Sequence, residues 1–463
     1  MKMNNRSVLQ FSSTLLATAL GLAGCSGGSS NPLAPIQAAQ AKNAGNFSNT
    51  VFLGDSLTAG YQSSSLLDTQ QVHGWAPLVA KQASFPIVQP LIAYPGAPNV
   101  LQLVSIGPPP VITSVCPPSG TPSVCGTTTG RDNFATQVTD LAVPGALLND
   151  VLNTVPLVNP APGQQQLNQL VLGFPGFGYG VAYSQGTFAI KAQPTTIFLW
   201  IGNNDALIAD LTGMPSSMTS VANFTSQYQA LMTQLTTLTS AHLVIGNIPD
   251  VTQVPYLQPA ALVLAQTSQQ TGLPTSVLSG LLGIVPGDYV NPTGLAQIPL
   301  ILAQTQKGPI SDAGVLSASE VVTVQSQVAA FNQVISQQAQ AANATLVDIN
   351  ALFKQVSSSG LTINGYTGTT AFLGGFFSLD GIHPTNTGYA VVANKFIDTM
   401  NAAISTKIPD VALGPVAAID PLWPPNLGTV AVIGPIPHAV SARALTMPAN
   451  AGKSIDDLML GKK

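Results

Sequence analysis

Charge is what this chain has least of. Only 7% of its 463 residues are charged, against about a quarter in an ordinary soluble domain, so Ser, Thr, Gln and Asn must cover its surface. The 14 Lys and Arg are matched by 18 Asp and Glu and form no basic run. A polyphosphate backbone would find nothing to hold it, which excludes nucleic acid as a partner. Long apolar runs are missing beyond the N-terminus, where none reaches the ~18 residues of a spanning helix. Cysteine is down to three and histidine to four, so any search for a thiol, a metal ligand or a general base is short. Hydrophobic content, at 45%, is ordinary. The length allows about three domains of ~150 residues, although single α/β domains often run larger.

The first 24 residues have the layout of a secretory signal peptide: cations at Lys2 and Arg6, an apolar run to Leu22, then small residues. Leu22-Ala23-Gly24-Cys25 resembles the lipobox of bacterial lipoproteins, in which cleavage precedes the cysteine and its thiol is acylated. The plainer alternative is a signal peptide whose cleavage site merely contains a cysteine. On the lipoprotein reading the chain is exported to the cell envelope. It is tethered to a membrane through Cys25 and a linker over 25–47, at the outer membrane if the organism has one, because Ser26 rather than Asp follows the cysteine. Cys116 and Cys125, inside "VCPPSGTPSVCG", read as a disulfide closing a short loop, with a pair of free thiols as the alternative. Neither has the second cysteine pair or nearby histidine of a zinc site.

Strand-length apolar runs alternate with helix-period segments. "TVFL" (50–53), "TIFLWI" (196–201), "HLVIG" (242–246) and "TLVDI" (345–349) read as buried strands. Phe224, Tyr228, Leu231, Leu235 and Leu238 form a helical stripe, as do Val321, Val324, Val328, Phe331 and Ile335 behind a capping box of Ser317 and Glu320. Tyr389, Val392, Phe396 and Met400 form a last one. Such alternation predicts a parallel sheet covered on both faces, with its ligand site beyond the C-terminal strand ends. Long loops over 62–140 and 155–190 surround that end. An apolar insertion over about 254–318 reads as a lid or acyl-binding wall, or equally as an auxiliary subdomain. The Pro-rich tail over 405–463 is expected to be extended, with too much proline for helix.

The strand "TVFL" runs into Gly54-Asp55-Ser56-Leu57, a turn that would lift the Ser56 hydroxyl above the sheet. A serine attacks an acyl carbon only with a base beside it and donors where the carbonyl oxygen turns negative. His73 lies in a loop, His242 opens a buried strand and His438 sits in the tail. His383, in "LDGIHPTNTGY", has Asp380 three residues earlier in a Gly-containing turn that can bring the carboxylate to imidazole Nδ1. "FLWIGNNDA" sets Gly202, Asn204 and Asp205 directly after a strand, with the Asn204 amide as a donor. "DLAVPGALLND" offers the Gly145 N–H and the serine turn the Ser56 N–H. Singly, an Asn there is a helix cap and a Gly after Pro is a turn.

Together and in this order, "GDSL" at 54–57, Gly145 in "AVPGA", "GNND" at 202–205 and "DGIH" at 380–383 resemble the SGNH/GDSL family of serine hydrolases over roughly 48–404. The resemblance implies a three-layer α/β/α, flavodoxin-like parallel sheet. It also implies Ser56 as nucleophile, His383 as base, Asp380 as its acid, and Gly145, Asn204 and the Ser56 N–H as the oxyanion hole. Carboxylic esters, by an acyl-enzyme route without metal or cofactor, are the implied substrates. A carbohydrate deacetylase, an envelope acyltransferase and a silent surface lipoprotein are the alternatives. The G-x-S-x-G match at Gly24–Gly28 has no strand before it, and the Gly-rich "GFPGFGYG" at 173–180 lacks the helix and acid of a dinucleotide site.

Overall fold

A computed structural model describes residues 43–107, 110–115, 130–133, 136–173, 183–427 and 447–460. Four strands, β1 (Thr50–Gly54), β2 (Thr196–Trp200), β3 (His242–Gly246) and β4 (Thr345–Val347), pair in that order in one parallel sheet. Side chains alternate across a strand, and both sides here are apolar. Val51, Leu53, Ile197, Leu199, Leu243 and Ile245 enter one core, while Phe52, Phe198, Trp200 and Val244 enter a second on the opposite face. These strands therefore read as unbroken apolar runs instead of alternating ones.

Helices α1 (Trp75–Gln82) and α8 (Asn386–Ile404) cover the second core, with Trp75 stacked on Phe396 at 4.0 Å between ring centroids. On the first face lie α2 (Asn203–Thr212), α3 (Val221–Leu238) and α7 (Ala318–Ala341). Phe224 of α3 stacks on Phe331 of α7 at 4.0 Å. The stripes expected from spacing are the buried faces of α3, α7 and α8, except that Leu238 is exposed at the end of α3. Ser317 and Glu320 form the expected capping box of α7. The stretch 139–143, which gave no strand signal, runs parallel to the free edge of β1, with Phe52 N donating to Thr139 O and Leu141 N to Phe52 O, both at 2.9 Å. The loops holding Ser56, Gly145 and Gly202 thus leave the same end of the sheet.

The 254–318 insertion is a subdomain in its own right. Helices α4 (Ala260–Thr271), α5 (Thr275–Leu282) and α6 (Pro292–Leu302) surround a small antiparallel sheet of three two-residue strands. Val263, Leu264, Leu278, Leu282, Ile298 and Ile301 close a separate core, so much of its apolarity is used internally. Asn291 ties it to the main body, donating its amide to Asp210 O at 3.0 Å.

The tail corrects the expectation of an extended segment. It contains α9 (Leu413–Ile419) and α10 (Ala449–Leu460). Pro415 sits in the first turn of α9, where the missing N–H is not needed, and after Pro448 no proline remains to interrupt α10. Among the described residues no helix is long and apolar enough to cross a membrane.

Candidate active site

Strand β1 ends at Gly54, whose backbone is clamped by the Gln185 side-chain amide: Gly54 N donates to Oε1 and Nε2 donates to Gly54 O, both at 3.0 Å. A Cβ on Gly54 would lie 2.5 Å from Thr58 Oγ1 and 2.6 Å from Trp200 O, so only glycine passes here. Asp55 next to it is buried. Its carboxylate accepts from Leu57 N at 3.0 Å and Asn203 Nδ2 at 2.9 Å, and its carbonyl accepts from Thr58 N and Ala59 N. Burial pushes the Asp55 carboxyl up to about 6, and the bonds from Asn203 and Leu57 pull it the other way. This carboxylate joins the serine turn to the first turn of α2.

The turn sets Ser56 Oγ 2.8 Å from His383 Nε2, and His383 Nδ1 stands 2.9 Å from Asp380 Oδ2. An ionised carboxylate only accepts hydrogen bonds, so the proton belongs on Nδ1 and the Nε2 lone pair faces the serine hydroxyl. Asp380 is held from several sides. Oδ1 accepts from His383 N at 2.9 Å, Ile382 N at 3.0 Å and Ser378 Oγ at 3.2 Å, and Oδ2 accepts from Ser64 N at 2.7 Å. Burial alone would raise this carboxyl. The charge and donors of His383, with the Ile382 N–H, outweigh it and hold Asp380 below its ordinary value. The Tyr61 ring covers the imidazole at 4.7 Å between centroids.

Ser63 and Ser64 both occupy the left-handed region, at φ 48° and 60°, unusual for residues with a Cβ. Their turn closes by reciprocal bonds between Gln62 and Ser65, and it aims Ser63 N at Ser378 Oγ and Ser64 N at Asp380. Local strain is thus held in place by the bonds that orient the acid.

Gly145 follows the 139–143 stretch in a left-handed turn at φ 80°, with its carbonyl accepting from Gln164 Nε2 at 2.9 Å. Asn204, in the first turn of α2, donates Nδ2 to Ala146 O at 2.9 Å. One of its two amide hydrogens is therefore committed to the Gly145 turn, which leaves the other for a ligand. Asp205 points elsewhere, accepting from Leu148 N at 2.9 Å and Thr219 Oγ1 at 2.7 Å. Gly202 is the left-handed residue opening α2. Ser56, Asn204 and His383 are 6%, 3% and 3% exposed, so little of each side chain meets solvent.

Of the other histidines, His242 bonds Thr345 Oγ1 through Nε2 at 2.9 Å inside the sheet. His73 lies in a turn, its imidazole lowered by burial. His438, Cys25, Cys116, Cys125, the 24–28 match and residues 174–180 lie outside the described residues. Sequence spacing gave no hint of Asn203 as partner of Asp55, of Gln185 behind Gly54, or of Ser63, Ser64 and Ser378 around Asp380. The polar run Gln62–Ser65, just after the serine turn, was the one available signal.

The model of the GDSL-like lipase/acylhydrolase family matches residues 50–396. No curated protein matches the chain. Similar solved structures include an α/β-hydrolase enzyme from the metagenome of Lake Arreo, Spain, at 12% identity and TM-score 0.33, covering 77% of this chain and 96% of that one. Another is a catalytic mutant of an acetylxylan esterase from Geobacillus stearothermophilus, at 11% and 0.34, covering 78% and 96%. A third is phospholipase A1 from Streptomyces albidoflavus, at 13% and 0.32, covering 77% and 99%. At such scores the family match carries the assignment. The chain belongs to the GDSL-like lipase/acylhydrolase family and is an ester-bond hydrolase.

Proposed function

We propose that Ser56, His383 and Asp380 act as nucleophile, general base and orienting acid in the hydrolysis of carboxylic esters of the lipase/esterase type. The observation that carries this reading is the unbroken chain of hydrogen bonds from Ser56 Oγ through His383 to Asp380, at 2.8 and 2.9 Å. Ser56 Oγ adds to the ester carbonyl carbon as its proton passes to His383 Nε2. The carbonyl oxygen, now negative, is met by the N–H groups of Ser56 and Gly145 and the uncommitted amide hydrogen of Asn204. Collapse of the adduct breaks the bond to the alcohol oxygen, which takes the proton from Nε2. Water then repeats the sequence on the acyl-Ser56 ester and releases the acid. Asp380 remains ionised throughout and stabilises the imidazolium.

Purified protein should hydrolyse p-nitrophenyl esters, and Ser56→Ala and His383→Ala should abolish turnover while keeping the fold. Rates that fall steadily from acetate to longer acyl chains would replace the lipase reading with a deacetylase. We further propose export and acylation at Cys25, on the residues that precede it. Metabolic incorporation of a labelled fatty acid, lost in Cys25→Ser, is the expected result, and equal labelling of both proteins would refute it.

A further inference from the structure

The C-terminal helix α10 and Met447, two residues before it, span the two loops that flank Ser56. At one end Met447 Sδ lies 2.5 Å from the place a Cβ on Gly381 would take, inside the Asp380–His383 loop. At the other, Met459 Sδ lies 3.2 Å from the corresponding place on Gly145. Between them Ala451, Ile455 and Leu458 face inward at helical spacing and are buried. Lys453 and Asp457 pair at 2.9 Å on the outer face. The helix leans on the insertion, where Gly452 packs against Pro292 and Tyr256 and the Tyr256 hydroxyl donates to Asp456. It also reaches Ile112, whose carbonyl accepts from Asn450 Nδ2 at 2.6 Å. Met447, Met459 and the helix between them lie outside the four sequence blocks of the site, two of which they touch.

We infer that Met459 is a specificity-determining residue, the side chain that limits how large an acyl group can lie beside Gly145. The inference rests on the reading of Ser56 as nucleophile and of the Gly145 N–H as an oxyanion donor. The inference sets the acyl arm of the ester, rather than its alcohol arm, on the Gly145 side of Ser56, where the Met459 thioether stands 3.2 Å from the Cβ position of Gly145. An unbranched, polarisable side chain there can yield to some chains and not to others. The insertion, whose apolar residues are largely turned into their own core, is the weaker candidate for that wall.

The test compares kcat/KM for p-nitrophenyl octanoate and acetate in wild type, Met459→Ala, Met459→Trp and Tyr256→Phe. Met459→Ala should raise the octanoate-to-acetate ratio by about tenfold and Met459→Trp should lower it by a similar factor, the scale on which a pocket discriminates a few carbons. Tyr256→Phe frees the helix from Asp456 without enlarging the space at Gly145 and should leave the ratio within about twofold of wild type. A ratio unmoved in both Met459 variants overturns the inference, as does an equal shift in Tyr256→Phe, which would mark mere loosening of the helix. Fluorophosphonate labelling of Ser56 is read in the same samples. Labelled protein with an unmoved ratio refutes only the role of Met459, whereas unlabelled wild type removes the hydrolytic reading beneath it.

Discussion

Replacing Asp380 by asparagine is the most informative single change to the site. The two side chains have the same shape, but asparagine carries an NH2 where the carboxylate has only acceptors. With the amide nitrogen at the Oδ2 position it would confront Ser64 N, now 2.7 Å away, and the His383 Nδ1 proton, 2.9 Å away. In the other orientation it would confront Ile382 N, His383 N and the Ser378 hydroxyl. The first is less costly, and it is relieved when His383 moves its proton to Nε2, so that Nδ1 accepts from the new amide. That tautomer points a proton at Ser56 and has no lone pair with which to take one. The expected loss in kcat is on the order of 10³ to 10⁴, the cost of a wrong tautomer in a comparable triad. Stability should fall by about 3 kcal/mol as charge-assisted bonds disappear. The Asp380 carboxyl is held below its ordinary value, so its contribution is present above the unfolded value of about 3.9 and is lost as pH falls through the folded one. The difference in thermal midpoint between wild type and Asp380→Asn should therefore be widest near neutrality and close below about pH 4. The assay is p-nitrophenyl acetate hydrolysis beside thermal unfolding from pH 3 to 8. A folded Asp380→Asn enzyme within tenfold of wild type would refute the assigned role of the acid.

Asp140, buried beside β1, accepts from Ala142 N at 3.3 Å, and the Gln89 side chain stands close enough to favour its charged form. Burial pushes it up to about 7. Its stabilising contribution is full below the unfolded value of about 3.9 and is lost as pH rises through about 7, a window worth about 4 kcal/mol. Asp140→Asn stays neutral, so its advantage over wild type should grow between pH 5 and pH 8. Equal midpoints at both pH values would show that the carboxyl does not titrate in that window. Asn203→Ala removes the amide that pulls the Asp55 carboxyl down toward about 6. Its destabilisation should be largest above pH 6 and small at pH 5, and kcat/KM should drop by about a hundredfold if the Ser56 turn shifts. An unchanged rate would mean that the bond does not hold the turn.

The sheet was legible because each strand, apolar on both faces, stands out as a short run in a chain rich in small polar residues. Phe52 and Val51 point in opposite directions, yet both meet a core. The stretch 139–143 is not legible in this way, since it meets β1 in a single bridge, bonds Val88 besides, and carries the polar Asp140 near its start. The spacing of Asp380 and His383 made one loop worth singling out, because three residues suffice for a turn that returns a carboxylate to an imidazole. The donors from Ser64 and Asn203 come from elsewhere in the chain as a backbone N–H and a buried amide, and neither leaves a mark in local sequence. Helix α10 was hidden by the prolines that precede it, although Ala451, Ile455 and Leu458 had the spacing of a buried helical face.

Mass-spectrometric location of a fluorophosphonate adduct on the intact protein is the most direct measurement. The adduct should fall on Ser56 alone, form slowly or not at all in His383→Ala, and vanish in Ser56→Ala. An adduct on another residue, or undiminished labelling of Ser56→Ala, would contradict the assignment of Ser56 as nucleophile.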